Sequence, residues 1–352
     1  MRRLRALTVA PLLAACAVVA SAEPASAHGT SRVQPTNYRT RVDAIDPAVA
    51  GLSVVVVDLG EHLELRNDTG EDIVVLGYES EPYLRIGPAG VFENIRSPAT
   101  YLNEVGDPAD TRVPDSADPA AKPAWEKVGP GSSGRWREHR AHWTGNEDPP
   151  AVRRDPGSRH VVQDWKIELR RSGGRIVVTG AVVWVPGPSP WPGLAAAAVL
   201  AGAVLIVSRT RRWPGALAVA LALAVVTAAL ELVGSWGATT SSAATKLGAA
   251  VYATGGVVIG AGALAWLVRR RDPYDATPAV LVAGIFVAVA SGLANLASLN
   301  HSQLPSTLPA GLVRLQVVVS VGLGMGLVLA AALRLRRPEP FVAEPRPEAV
   351  TS

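Results

Sequence analysis

Apolar and polar positions follow two different rules along this chain. From about residue 37 to 185 they alternate or gather in short runs, whereas residues 191–337 are long Ala, Val, Leu and Gly stretches parted by short basic clusters. In the first region residues 52–59 form a largely apolar run around Val54, Val55, Val56 and Val57, the length of a buried strand. Residues 62–66 alternate, with Leu63 and Leu65 on one face and Glu64 and Arg66 on the other. Asn67-Asp68-Thr69-Gly70 then predicts a turn, with residues 73–78 returning as the hairpin partner. Trp165, Ile167 and Leu169 alternate with Lys166, Glu168 and Arg170 before Ser172-Gly173-Gly174-Arg175, which predicts a second hairpin ending in residues 176–185. Residues 107–134, crowded with Pro, Asp, Ala, Gly and Ser, predict a long mobile loop.

A helix needs about 20 apolar residues to cross the hydrocarbon core of a bilayer. Five stretches qualify, at about 191–208, 213–233, 247–268, 277–298 and 309–333. Arginine triplets follow the first, third and fifth of them (Arg209, Arg211, Arg212; Arg269, Arg270, Arg271; Arg334, Arg336, Arg337), while the alternate loops carry one basic side chain, Lys246, besides His301. Short cytoplasmic loops hold the excess of Lys and Arg, so the three clusters predict a cytoplasmic side that includes the tail at 336–352. The chain start agrees with this orientation. Arg2, Arg3 and Arg5 precede an apolar stretch from Ala6 to Ala20, and Ala25-Ser26-Ala27 reads as a cleavage site, making residues 1–27 a signal peptide and His28 the first mature residue. A second reading, lipid attachment at Cys16 within Leu13-Ala14-Ala15-Cys16, also places the next domain outside the cytoplasm. The predicted fold is therefore mixed. An extracytoplasmic antiparallel β-sandwich, immunoglobulin-like in shape, spans residues 28–186, and a five-helix transmembrane bundle spans 191–335.

Charge and cysteine usage narrow the function classes. The formal net charge is only +4, with no basic stripe, which speaks against nucleic acid as a partner. Cys16, the single cysteine, falls in the signal, so disulfides, thiolate catalysis and Cys-ligated metals drop out together. There is no Gly-x-Ser-x-Gly, no His-Glu-x-x-His and no glycine-rich phosphate loop between strand and helix, so the expectation is a protein that is not an enzyme.

Two sets of residues carry candidate chemistry. An N-terminal His28 offers an α-amine and a ring nitrogen to one ion, a chelate suited to copper(II), and Glu138-His139-Arg140-Ala141-His142 adds two imidazoles. On a regular strand His139 and His142 face opposite sides, so joint binding requires a turn between them. Within the spans, Glu231 near one end of the second and Arg314 near the same end of the fifth are ionisable groups that lipid makes expensive, with Asn295 and Gln316 at similar depth. Gly256 and Gly260, and Gly322 and Gly326, stand four apart and predict close helix packing.

Gly77-Tyr78, Glu81-Pro82-Tyr83-Leu84, Ser97-Pro98-Ala99-Thr100-Tyr101-Leu102-Asn103 and residues 138–143 resemble segments of exported, membrane-anchored proteins of high-GC Gram-positive bacteria. The resemblance implies the architecture and supplies no activity. The order of signal, N-terminal histidine, β-sandwich and bundle is also similar in layout to copper-resistance proteins that join a periplasmic copper-binding domain to a membrane domain, without that family's strand motifs after the first histidine. These features together predict an exported binding module anchored in the lipid bilayer. In its sharpest form it holds copper on His28 with His139 or His142, and its partner is another membrane or exported protein. The alternative is a membrane transporter or accessory subunit with a polar site formed by Glu231, Arg314 and Asn295.

Overall fold

The computed structural model describes residues 33–104, 111–238, 243–269 and 272–336. The expected signal peptide, His28 and the C-terminal tail beyond residue 336 lie outside these residues.

Among the described residues, alternating sequence becomes ten antiparallel strands in two sheets. The larger sheet has the order β1 (Tyr38–Asp46), β10 (Gly174–Trp184), β9 (His160–Arg171), β4 (Ile73–Leu76), β5 (Pro82–Gly87), β6 (Gly90–Asn94), β7 (Trp125–Gly129). The smaller has the order β2 (Leu52–Val57), β3 (His62–Asn67), β8 (Ser133–Arg137). Inward side chains of both sheets meet in one core, including Leu63, Leu65 and Trp136 from the small sheet and Ile73, Ile86, Ile167, Leu169 and Ile176 from the large one. Seven strands facing three departs from the four-and-three division of an immunoglobulin domain.

The hairpin expected after Ser172 forms as read, with Trp165 opposite Gly180 and Leu169 opposite Ile176. Gly180 has no side chain to give way: a Cβ there would lie 2.2 Å from the Trp165 ring. The first expected hairpin does not form. β3 pairs with β2 and β8, whereas β4 pairs with β5 and β9, so the Asn67–Gly70 turn carries the chain from one sheet to the other. Asn67 makes this crossing, since its buried amide donates to Glu71 O at 2.8 Å and Ile86 O at 2.7 Å, across the layers. Alternation sets which face a residue takes; it does not set which strand lies beside it. The predicted 107–134 loop also ends early. Residues 125–129 and 133–134 belong to β7 and β8, where Lys127 pairs opposite Phe92 and Gly134 opposite Leu65.

Two five-residue helices, α1 (Pro98–Leu102) and α2 (Pro150–Arg154), punctuate the β-rich region. Beyond it the chain is helical. Among the described residues four helices are long and apolar enough to cross a membrane, at Trp213–Ala238, Ala250–Arg269, Pro273–Leu299 and Ala310–Leu335. The apolar helix Trp191–Val207, with 17 residues, is shorter. The five are termed α3 (Trp191–Val207), α4 (Trp213–Ala238), α5 (Ala243–Arg269), α6 (Thr277–Phe286) and α7 (Ala310–Leu335). Both glycine pairs serve helix contact. A Cβ on Gly322 would lie 2.8 Å from Ala197 O of α3 and one on Gly326 2.7 Å from Val204 Cβ, while Gly256 and Gly260 face Ala228 and Val225 of α4.

The fourth apolar segment is not one regular helix. α6 stops at Phe286, residues Val287–Gly292 widen into a π-helix, and Leu293–Leu299 tighten into a 3-10 helix. Such breaks release backbone groups that other parts of a bundle must satisfy.

The β-rich region attaches to the helices at two places. β10 leads through residues 186–190 into α3, and Gly187 lies so close to Asn300 that a Cβ there would meet its carbonyl oxygen at 1.9 Å. Ahead of β1, Thr36 and Gln303 exchange backbone hydrogen bonds of 3.1 and 2.9 Å, Asn37 accepts from the Ser302 N–H at 2.8 Å, and Arg39 donates to Gln303 Oε1 at 3.1 Å.

Candidate functional site

Two α-helices each place two polar side chains four residues apart, hence one above the other: Thr227 and Glu231 on α4, Gln316 and Ser320 on α7. On the broken continuation of α6, Asn295 reaches back to the backbone of Ser291, four residues earlier. The helices align these pairs. Thr307 N–H donates to Gly234 O at 3.1 Å near the start of α7, and Arg334 near its end lies 3.7 Å above the Trp213 ring, so α4 and α7 run antiparallel. Trp213 also touches Tyr274, just ahead of α6, which makes α6 parallel to α4.

The result is a two-layer polar column. In the layer nearer the β-sheets, Asn295 Nδ2 donates to Glu231 Oε1 at 2.8 Å and to Ser291 O at 3.1 Å, with buried Gln316 on the facing helix at the same level. In the layer below, Ser320 Oγ donates to Thr227 Oγ1 at 3.3 Å, and the Oγ of Ser291, fully buried, has no hydrogen-bond partner among the described residues. A buried hydroxyl left unpaired costs about 1–3 kcal/mol. A polar group brought beside it would offset that cost.

Arg314 stands apart from its expected partner. Its Nε donates to Ser298 O at 3.2 Å, in the last turn of the 3-10 segment, and its Nη2 to His301 O at 2.8 Å, just beyond it. A terminating helix leaves carbonyls without intrahelical donors, and the guanidinium fork supplies several donors in one plane. Glu231 instead receives a hydrogen bond from Asn295.

The β-rich region holds a second polar cluster, between its sheets. Glu138, 1% exposed, receives Arg140 Nε at 2.7 Å and Nη2 at 2.8 Å, and also Trp136 Nε1 at 3.0 Å. Arg140 donates further to Gly77 O and Leu76 O and lies 4.9 Å above the Tyr78 ring. Burial works against its charge, but hydrogen bonding to Glu138 and that carboxylate's charge prevail and raise its pKa. Buried Glu81 accepts from Ser97 Oγ at 2.6 Å and from the Glu79 N–H at 2.8 Å, and Tyr78 donates to Asn103. Tyr78, Glu81, Ser97, Asn103, Glu138 and Arg140 come from the segments that carry the resemblance, and the fold gathers them in one region.

His139 opens a 3-10 turn, His139–Ala141, and His142 follows it, so the regular-strand objection to joint binding does not apply. Thr40 Oγ1 donates to Ala141 O at 2.6 Å between them, which brings β1 alongside. His139 Nε2 lies 3.0 Å from Leu102 O, and because a carbonyl only accepts, that nitrogen carries the proton. Burial first, then the neighbouring His139 and Arg137, holds His142 below the ordinary imidazole range. Among the described residues no three His, Cys, Asp or Glu side chains converge as a metal would require.

The i, i+4 spacing of Thr227, Ser291 and Ser320 with their partners is present in the sequence, yet only Glu231, Arg314, Asn295 and Gln316 stand out there. Serine and threonine are common in apolar helices, because they return their hydroxyl to their own backbone, as Thr227 does to Ala224 O. No family model, curated protein or solved structure matches the chain, and its functional reading rests on this geometry.

Proposed function

We propose that this protein is a five-span membrane protein with its β-rich domain outside the cytoplasm, and that it acts as a transporter or transporter subunit whose working site is the polar column. The hydrogen bond from Asn295 to Glu231, made at the break in the fourth span, is the observation that carries this reading. A carboxylate, two amides and three hydroxyls at two levels of a lipid-embedded bundle offer oxygen and N–H groups to a small polar or ionic guest. The unpaired Ser291 hydroxyl supports the same reading.

The test is flux in liposomes reconstituted with the purified protein, under imposed H+, Na+ or K+ gradients. The wild type is expected to dissipate at least one gradient, and Glu231→Gln and Asn295→Leu to abolish that flux while eluting as folded protein. Flux that survives both substitutions would reduce the column to a packing device, and no wild-type flux would remove the transport reading.

The passage of β1 beside the His139–His142 turn favours a second reading, an exported module that holds copper on His28 with His139 or His142. Copper titration of the mature protein is then expected to show nitrogen coordination that is lost when one residue is added ahead of His28. Equal binding by the extended form would exclude the N-terminal chelate.

A further inference from the structure

We infer that the seating of the β-rich domain on the 301–303 loop controls the polar column, through Arg314. The inference rests on the column being the working site and adds what regulates it.

The physical connection is continuous. Thr36, Asn37 and Arg39, immediately ahead of and within β1, hold Ser302 and Gln303 by four hydrogen bonds. His301, next in the chain, gives its carbonyl to Arg314, and the same guanidinium holds Ser298 O. Ser298 lies in the last turn of the 3-10 segment Leu293–Leu299, and one helical turn before it Asn295 reaches Glu231. The domain is thus bound to the one segment of the bundle that carries Asn295, by contacts independent of the covalent link at residues 186–190.

That segment is also not a regular α-helix. Its 3-10 hydrogen bonds have poorer geometry than α-helical ones, and the π-helix before it supplies a joint where one residue of slack is absorbed. Moving the 301–303 loop by an ångström or two requires no regular helix to break. Arg314 resists the movement while the domain is seated, because both of its carbonyl acceptors are then in place. When the domain shifts, as on binding a ligand outside, His301 O leaves the fork and the 3-10 segment is free to turn Asn295 away from Glu231. Two arrangements of one element, biased from two sites, are the physical content of coupling.

Hydrogen exchange of the full-length protein in nanodiscs tests this. Asn37→Ala removes the acceptor for Ser302 N–H, Gln303→Ala removes the acceptor for Arg39, and Arg314→Leu removes the relay. The double variant Asn37→Ala/Gln303→Ala is expected to speed exchange of the 293–299 amides about tenfold. Arg314→Leu should do the same, and Arg314→Lys, which satisfies one carbonyl at a time, should lie between. Faster exchange confined to residues 300–303, with 293–299 unchanged, would overturn the coupling. Asn295→Leu separates this inference from the transport reading. If its flux is normal while the staple variants still loosen 293–299, the coupling stands and the column is not the transport site; if flux falls but 293–299 ignores the staple, the site stands and the coupling fails.

Discussion

Replacing Arg140 by alanine isolates a buried charge, and the structure allows its cost to be worked through. Glu138 is 1% exposed and takes two short hydrogen bonds from Arg140, which also satisfies the carbonyls of Leu76 and Gly77. Removing one partner of a buried pair costs about 3–5 kcal/mol, because the remaining charge is neither paired nor solvated. Two factors act in opposite directions. Trp136 Nε1 and the Arg140 N–H still donate to Glu138, and the vacated space, open to solvent on the side where Arg140 is 23% exposed, admits water, whereas two carbonyls also lose their donor. The net expectation is a loss of about 4 kcal/mol. Glu138→Gln/Arg140→Met, which leaves no charge behind, should lose about 2 kcal/mol less than the sum of the two single variants. Native-state hydrogen exchange of the β9 and β10 amides in the full-length protein reads this directly, because their slowest exchange requires global opening of the β-sheets. A loss below about 1 kcal/mol for Arg140→Ala, or strict additivity in the cycle, would refute the buried-pair argument.

Glu93 tests pH linkage. Burial first, then the charges of Glu104 and Glu126, raises its pKa from 4.5 to about 6. The fold therefore favours the protonated form, and the stabilisation present below pH 4.5 is lost as pH rises through 6. The full shift corresponds to about 2 kcal/mol at 1.36 kcal/mol per pKa unit, and to roughly half of that once solvent contact is allowed for. Glu93→Gln should be flat across this range where the wild type declines in denaturant titrations; parallel curves would contradict the linkage. His142 is shifted the other way, so it should withdraw stability as pH falls below the ordinary imidazole range, a trend that His142→Gln should lack in acid titrations. Gly326→Leu should separate α3 from α7, since even a Cβ would lie 2.7 Å from Val204 Cβ; unchanged thermal stability in detergent would show that the contact is dispensable. Leu169→Ala, fully buried between the sheets, should cost about 2–5 kcal/mol by the same exchange measurement used for Arg140.

Much of the fold was legible because it depends on period. Trp165, Ile167 and Leu169 alternate with charged residues, and all three point into the core at the positions that alternation assigns. The lipid-like stretches needed only length and composition, and four of the helices they form are long enough to cross a bilayer. The partner of each strand was not legible. Residues 62–66 and 73–78 read as one hairpin, yet the amide of Asn67 bonds across the layers and sends β3 and β4 into different sheets. A Pro- and Gly-rich composition likewise concealed β7 and β8, whose stability comes from β6 and β3 rather than from local propensity.

The candidate site divides in the same way. Sequence determined that Glu231, Arg314 and Asn295 are polar groups in apolar helices, because burial cost depends on the side chain and the length of apolar chain around it. It also determined which residues share a helix face, because 3.6 residues per turn sets that spacing. The antiparallel packing of α4 and α7, together with the break after Phe286, decided that Glu231 meets Asn295 and that Arg314 serves the carbonyls of Ser298 and His301. Those choices depend on which backbone groups the break exposes and which helix faces stand opposite. Both are fixed by contacts between residues far apart in the chain, to which local patterning is blind.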